Sequence, residues 1–276
     1  MSTFSRRPLA WHVELRRQLR RRRTVWSYAL LVALPVVLVV AFSFGERDRS
    51  GGSAARLVDL AQQGSANFTI FTVFAAADFL LIVVAALFAG DTLPSEASWS
   101  SLRYLLAAPV PRARLLTAKL AVAVGSMVAA VVVLVVSAVV VGGVAYGWAP
   151  YTATGGFTLG WSEFLPRLLL GAACIAVSLL QVCGIAFLIG TRTDSPLAAA
   201  GGAVLVTIVS SILQTIDALG DLRHALPMAY SRTWFQAFSS DISWVDIQRG
   251  ALWSSVYFLA TVATAYILFR RKDVLS

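Results

Sequence analysis

Apolar residues along this chain do not alternate with polar ones. They gather into six long continuous runs, at about Val25 to Phe44, Ile70 to Gly90, Leu120 to Tyr146, Leu168 to Gly190, Leu197 to Ile216 and Ala251 to Phe269. Each approaches or exceeds the roughly 20 residues that a helix needs to cross about 30 Å of hydrocarbon. Continuous runs predict helices, because strands of a membrane barrel would alternate lipid-facing with lumen-facing residues. The expected fold is an all-α integral membrane protein, with six transmembrane helices in a single transmembrane domain over residues 1–276.

The polar stretches between the runs differ in kind. Gly45 to Thr69 is polar, with Ser50-Gly51-Gly52-Ser53 at its centre, and reads as a loop without a motif. Gly147 to Glu163 holds Trp148, Tyr151 and Trp161, as an aromatic belt at the membrane surface would. Thr191 to Pro196 is so short that the flanking helices must form a tight hairpin. The longest stretch, residues 217–249, mixes Tyr230, Trp234, Phe235, Phe238 and Trp244 with acids and arginines. It reads either as re-entrant helices that dip into the interface or as a surface loop bearing interfacial aromatics.

The start of the chain carries its own pattern. Pro8 is placed to open a helix in which Trp11, Leu15 and Leu19 line one side while Arg16, Arg17, Arg20 and Arg21 occupy others. Residues 1–24 are therefore expected to form an interfacial helix; the plainer alternative is a stop-transfer charge cluster. A cleaved signal peptide fits less well, since the following apolar run is longer than 15 residues and no small-x-small cleavage pattern follows Phe44.

Composition agrees with a membrane protein. Hydrophobic residues make up 58% and charged residues 13% of the 276-residue chain, against about 25% charged in soluble domains. With the N-terminus inside, sixteen of the 23 Lys and Arg residues fall on that side: eight precede the first run, followed by Arg103, Arg112, Arg114, Lys119, Arg192, Arg270, Arg271 and Lys272. The positive-inside rule puts both termini and residues 91–119 in the cytoplasm, and an even number of spans agrees. A net charge of +9 then reflects topology and attraction to anionic membrane lipids. No nucleic-acid partner is implied, because no binding module accompanies the charge. The excess of Arg over Lys hints at a GC-rich genome, favouring a bacterial cell (inner) membrane.

Few polar groups interrupt the spans. Asp78 lies within the second, where an ionised side chain costs at least about 2.5 to 3.5 kcal/mol on insertion scales. It belongs either on a substrate path or at a moving interhelix contact, or else in a structural hydrogen bond to a nearby Ser or Thr. Gln181 and Gln214 either bond across helices or line a path. Cys174 and Cys183, nine residues apart without a nearby His, match neither a redox pair nor a metal site and read as small packing residues.

The most unusual stretch is Asp91 to Lys119. Between two apolar spans it carries two acids, four basic residues and three prolines, which places it in water at the membrane face. Ser95 is a plausible N-cap and Pro109 a stop for a short helix. Along it Trp99, Leu102 and Leu106 share one side, while Glu96, Ser100 and Arg103 fall on another. Such a helix either lies flat on the membrane or docks into a groove on another protein.

This pattern resembles the cytoplasmic loop between the second and third spans of ABC-2 type ABC transporter permeases. In that family an acid precedes a Gly-Thr-Leu-like triplet, then come leucines, Pro-Val-x-Arg and a lysine. Here these are Glu96, Ser100-Ser101-Leu102, Leu105 and Leu106, Pro109-Val110-Pro111-Arg112 and Lys119. Ser100 stands where the family usually has glycine. The resemblance implies a transport subunit that couples to a separate ABC ATPase, in two copies, and forms an export path by alternating access with a second permease subunit, identical or homologous. It implies that Trp99, Leu102 and Leu106 fill a cleft on the ATPase while Glu96 and Arg103 fix register. It also implies re-entrant helices before the last span.

The chain carries no Gly-x4-Gly-Lys-Ser/Thr phosphate loop. It is therefore expected to be no enzyme and to hold no cofactor, with ATP and magnesium on the partner ATPase. Three rivals are weaker. An intramembrane protease needs a base within the bilayer, but His12 and His224 lie outside the spans. A secondary carrier would show broken helices with polar centres, for which Asp78 and Pro35 are the candidates. A non-transporting scaffold or lipid-handling protein would not co-purify with an ATPase.

Overall fold

The computed structural model describes residues 16–44, 53–95, 112–153 and 155–270. Among them, five helices are long and apolar enough to cross a membrane, and a sixth span is possible only as a bent pair of shorter helices. In chain order these are α1 (Arg22–Phe44), the short α2 (Ser53–Ala61), the bent pair α3 (Ser65–Ala77) and α4 (Leu80–Gly90), α5 (Arg112–Tyr146), α6 (Trp161–Arg192), α7 (Pro196–Gln214) and α8 (Trp244–Arg270). The basic end of the bundle carries the start of α1, Asp91, Arg192 and Arg270; the turns after α1, α5 and α7 lie at the opposite end.

The apolar runs foretell the long helices closely, but the second span departs from a continuous helix. It breaks at Asp78 and Phe79, and its halves meet at 54°. Phe79 leaves helical geometry at φ −138°, ψ −60°, so the residues between Ala77 and Leu80 do not close the regular ladder. Pro35, the other candidate for a break, leaves α1 running on as one helix.

Two parts expected to be plain loops are structured. The polar stretch after α1 contains α2, whose Leu57 and Leu60 face an apolar cavity of about 280 Å³ also lined by Phe71, Phe74 and Phe235. Between α5 and α6 a small hairpin pairs Tyr151–Thr152 with Thr158–Leu159 in antiparallel register. Asn67 of α3 completes it: its Nδ2 donates to the Thr152 carbonyl at 2.7 Å, and its Oδ1 accepts from the Thr152 N–H at 2.9 Å. One side-chain amide thus substitutes for a neighbouring strand.

Expected surface aromatics turn inward here. Tyr151 stacks on Phe164 with ring centres 5.8 Å apart, and burial pushes its phenol above the usual range near 10. Trp234 and Phe238 are also buried, while Trp148 and Trp244 stay exposed as a belt requires. Tyr151, Trp234 and Phe238 are core residues and not interfacial ones.

Helix α6 is the central post, packed most extensively against α8 and also against α4, α5 and α7. Close approach depends on small residues, as it must where lipid supplies no hydrophobic drive between helices. A Cβ on Gly184 would run into the Thr261 hydroxyl of α8, and one on Gly90 would sit 2.9 Å from the Ala200 backbone nitrogen of α7. Cys183 is buried with its thiol toward the Ala85 carbonyl at 3.8 Å, which is the packing role expected of it.

Candidate functional site

The residues expected to dock an ATPase, Glu96, Trp99, Leu102, Arg103 and Leu106, lie outside the described residues. What is described are the two roots of that stretch, and they are not in open water. Asp91 is buried, at 8% exposure, and its carboxylate takes two guanidiniums: Arg21 Nη1 donates to Oδ2 at 2.6 Å and Arg23 Nη1 to Oδ1 at 3.1 Å. The Ser95 hydroxyl turns back to donate to the Asp91 carbonyl at 2.6 Å. Leu93 enters a cluster with Leu116, Leu120, Phe187, Ala265 and Phe269, which joins the ends of α5, α6 and α8. On the far root Lys119 is buried in α5 at 1% exposure. The expectation that this whole stretch lies in water is thus corrected at both of its ends.

The segment preceding α1 is described from Arg16. A helical turn over residues 16–19 breaks at Arg20 and Arg21 before α1 begins, and that break presents Arg21 to Asp91.

At the opposite end, residues 217–243 form two short 3-10 helices, Asp217–Ala225 and Ser231–Phe238, instead of α-helices. Residues 244–249 already belong to α8. Between the two turns the backbone is irregular, and Met228 sits at φ 63°, a conformation uncommon for a side chain with Cβ. Its polar groups are nevertheless satisfied from three helices. Tyr257 OH donates to the Ala225 carbonyl at 2.5 Å and Trp253 Nε1 to Leu226 at 3.2 Å. Ser210 Oγ and Gln214 Nε2 both donate to Pro227, the latter at 2.9 Å. The Met228 N–H donates to Gln181 Oε1 at 3.0 Å, and Gln181 Nε2 donates to Ser254 Oγ at 3.3 Å.

This arrangement has a physical reason. Gln181 lies about 16 Å from Arg192 along α6 at 1.5 Å per residue, so the Met228 segment reaches deep between the helices. Irregular backbone at such depth is stable only where protein or a wet cavity satisfies it. Gln181 and Gln214 are therefore cross-element hydrogen-bond formers, and the sequence alone did not separate that from a path-lining role.

Asp78 has a charged partner. Arg232, from the second 3-10 turn, donates to Asp78 Oδ2 from Nε at 3.1 Å and from Nη2 at 2.5 Å. The pair stands in place of the Ser or Thr bond that was one of the roles open to Asp78. Its side chains remain 41% and 69% exposed in the single chain. Asp78 also edges a groove of about 270 Å³ between the break of the second span and α7, where Phe79, Ile82, Thr207, Ile208 and Ser211 supply the walls.

Asp91, Arg21, Arg23 and Arg232 were missing from the sequence-derived site. Asp91 carried a weak signal, an acid at the immediate end of an apolar run; Arg232 carried none.

A family described as ABC-2 family transporter protein matches this chain over residues 16–210. No curated protein matches it.

Proposed function

Because the chain belongs to the ABC-2 transporter family and so forms a membrane subunit of an ABC transporter, we propose that it is the permease of an ATP-driven exporter whose ATPase is a separate polypeptide. The basic end faces the cytoplasm of a bacterial cell, with both termini there by the positive-inside rule. The bent pair counts as one span, making six. Two ATPases bind, one beneath each of two permease subunits, identical or homologous, and carry the ATP and magnesium.

One observation carries the coupling. Both roots of residues 91–119 are built into the bundle, through Asp91 and Leu93 on one side and Leu116 and Lys119 on the other. A push that arrives at either root of the loop therefore reaches α4, α5, α6 and α8. Closure of ATPases on ATP becomes rigid-body tilting of the spans, and the path alternates between the two faces. Trp99, Leu102 and Leu106 fill the cleft on the ATPase, with Glu96 and Arg103 setting register.

The path itself runs along the groove that Asp78 edges. An ion pair about 20 Å from the basic end, by the helical rise, is poorly tolerated against lipid tails. The face bearing Asp78, Arg232 and α7 is therefore turned toward water and the second permease subunit. Gln181 and Gln214 hold the re-entrant segment that narrows the far side of that path.

The test is association. Leu102→Asp combined with Leu106→Asp should abolish co-purification of the ATPase, while membrane insertion and yield stay at the parent level. Retained association in that double variant would remove the docking assignment.

A further inference from the structure

Helix α1 is held to the rest of the chain in an unusual way. Only Thr24, Ser27, Leu31 and Pro35 of its 23 residues are buried. These form one narrow stripe, small or polar for half its length, while Trp26, Leu30, Val36, Val37 and Phe44 project outward. In a bilayer such a stripe gains no hydrophobic attraction to its neighbours, because lipid tails are as apolar as leucine; association rests on packing and polar contacts. The far half of α1 is steadied by Phe42 against Phe71, with ring centres 5.3 Å apart. Its basic half depends on Tyr28, whose OH donates to the Ser126 carbonyl at 2.9 Å, and on the two bonds from Arg21 and Arg23 to the Asp91 carboxylate.

Those two bonds join parts of the chain about 70 residues apart. They are charge-assisted, and they converge on a carboxylate with 11% exposure. The bond from Arg21, 22% exposed, is a mostly buried, charge-assisted contact, stronger than a surface ion pair, and removing Asp91 leaves that guanidinium uncompensated; the bond from Arg23, 62% exposed, adds less. The carboxylate also belongs to the first residue of the 91–119 loop, and the next residues are fixed in the cluster around Leu93 and Leu116.

We infer that Asp91 is a positioning residue that clamps the start of the first span to the root of the loop, so that the two move as one body. Helix α1 then follows the loop through this clamp and not through its own thin packing seam. The clamp holds whether or not the loop docks an ATPase; only its use in transport rests on the function proposed above.

The experiment uses the full chain in native membrane vesicles, with Cys174→Ser as background and Thr24→Cys as reporter. Thr24 is buried, at 3% exposure, one residue beyond Arg23. Buried Cys183 is retained as an interior control. In the parent, a small polar maleimide labels the Thr24→Cys reporter slowly. Asp91→Asn, and separately Arg21→Gln with Arg23→Gln, should raise that rate about tenfold, the equivalent of about 1.4 kcal/mol of opening. The exposed neighbour substitution Arg22→Gln should leave it unchanged, and exchanging the charges in Asp91→Arg with Arg21→Asp, with Arg23→Gln to remove the remaining like charge, should restore slow labelling. Cys183 should stay unlabelled throughout. Reporter rates in the Asp91 and paired arginine variants that equal the parent would overturn the clamp, as would labelling of Cys183 in parallel with the reporter, which reports general unfolding. Loss of ATPase association on changing Leu102 and Leu106 is a separate measurement, so the clamp and the proposed function fail independently.

Discussion

Single charges decide much about this chain because the bilayer makes each one conspicuous. Asp78 and Arg232 are separated by 154 positions in sequence, yet they pair with each other. In a double-mutant cycle, Asp78→Asn and Arg232→Gln should each lower thermal stability in detergent, and the double variant should fall short of their sum by about 0.5 to 1 kcal/mol, the upper range for a pair this exposed. Additivity within about 0.5 kcal/mol would mean that the two groups act separately. The acid itself was legible in the sequence as a group that needed a partner. The arginine was not, since it sits in a stretch where several charges look equally free. Gln181 shows the same limit: its amide was visibly out of place in an apolar run, but only the fold reveals that it holds the Met228 N–H.

At the scale of elements, apolar length sets the helices and small residues set their distances. Gly184 lets α6 and α8 touch: a Cβ there would overlap the Thr261 hydroxyl, and Phe258, with Cα and ring both at 3.3 Å, leaves little room for anything larger. Gly184→Val should destabilise the protein by about 1 to 3 kcal/mol, the usual range for overpacking. Gly201→Ala, where a Cβ meets nothing within 4 Å, should be nearly silent in the same thermal melt. Five of the six expected spans appear as single helices with ends shifted by up to eight residues. The remaining one, the second, is broken at Asp78, one of the two positions the sequence offered for a break; its apolar halves gave no sign of the 54° bend itself. The hairpin at Tyr151 and the helix at Ser53 were also missed: each is too short for periodicity to stand out, and the hairpin exists because Asn67 pairs with Thr152 from another element.

Considered whole, the described residues present a face with an ion pair and a groove, and α7 residues Leu205, Ile208 and Ile212 are exposed beside them. If a second permease subunit covers this face, a cysteine at Ile212 should cross-link between subunits of this chain under mild oxidation in membranes. One at Leu252 on α8, exposed but remote from the groove, should not. A dimer band from the Leu252 position and none from Ile212 would reassign the face. A homologous but different partner would give an Ile212 cross-link to a second polypeptide once that partner also carries a cysteine at the facing position.

The linear order of residues determined which segments enter the bilayer and which end of each bears the positive charge. Hydrocarbon rejects polar backbone and charge one residue at a time, so these properties add along the chain and need no partner to be read. Tertiary structure alone decided that the second span breaks, that Asp91 is held by Arg21 and Arg23 and Asp78 by Arg232, and that Ala225 to Met228 descend between three helices. Each of those outcomes depends on two groups distant in sequence meeting in a medium that leaves them no water to turn to, and a one-dimensional pattern carries no information about which two will meet.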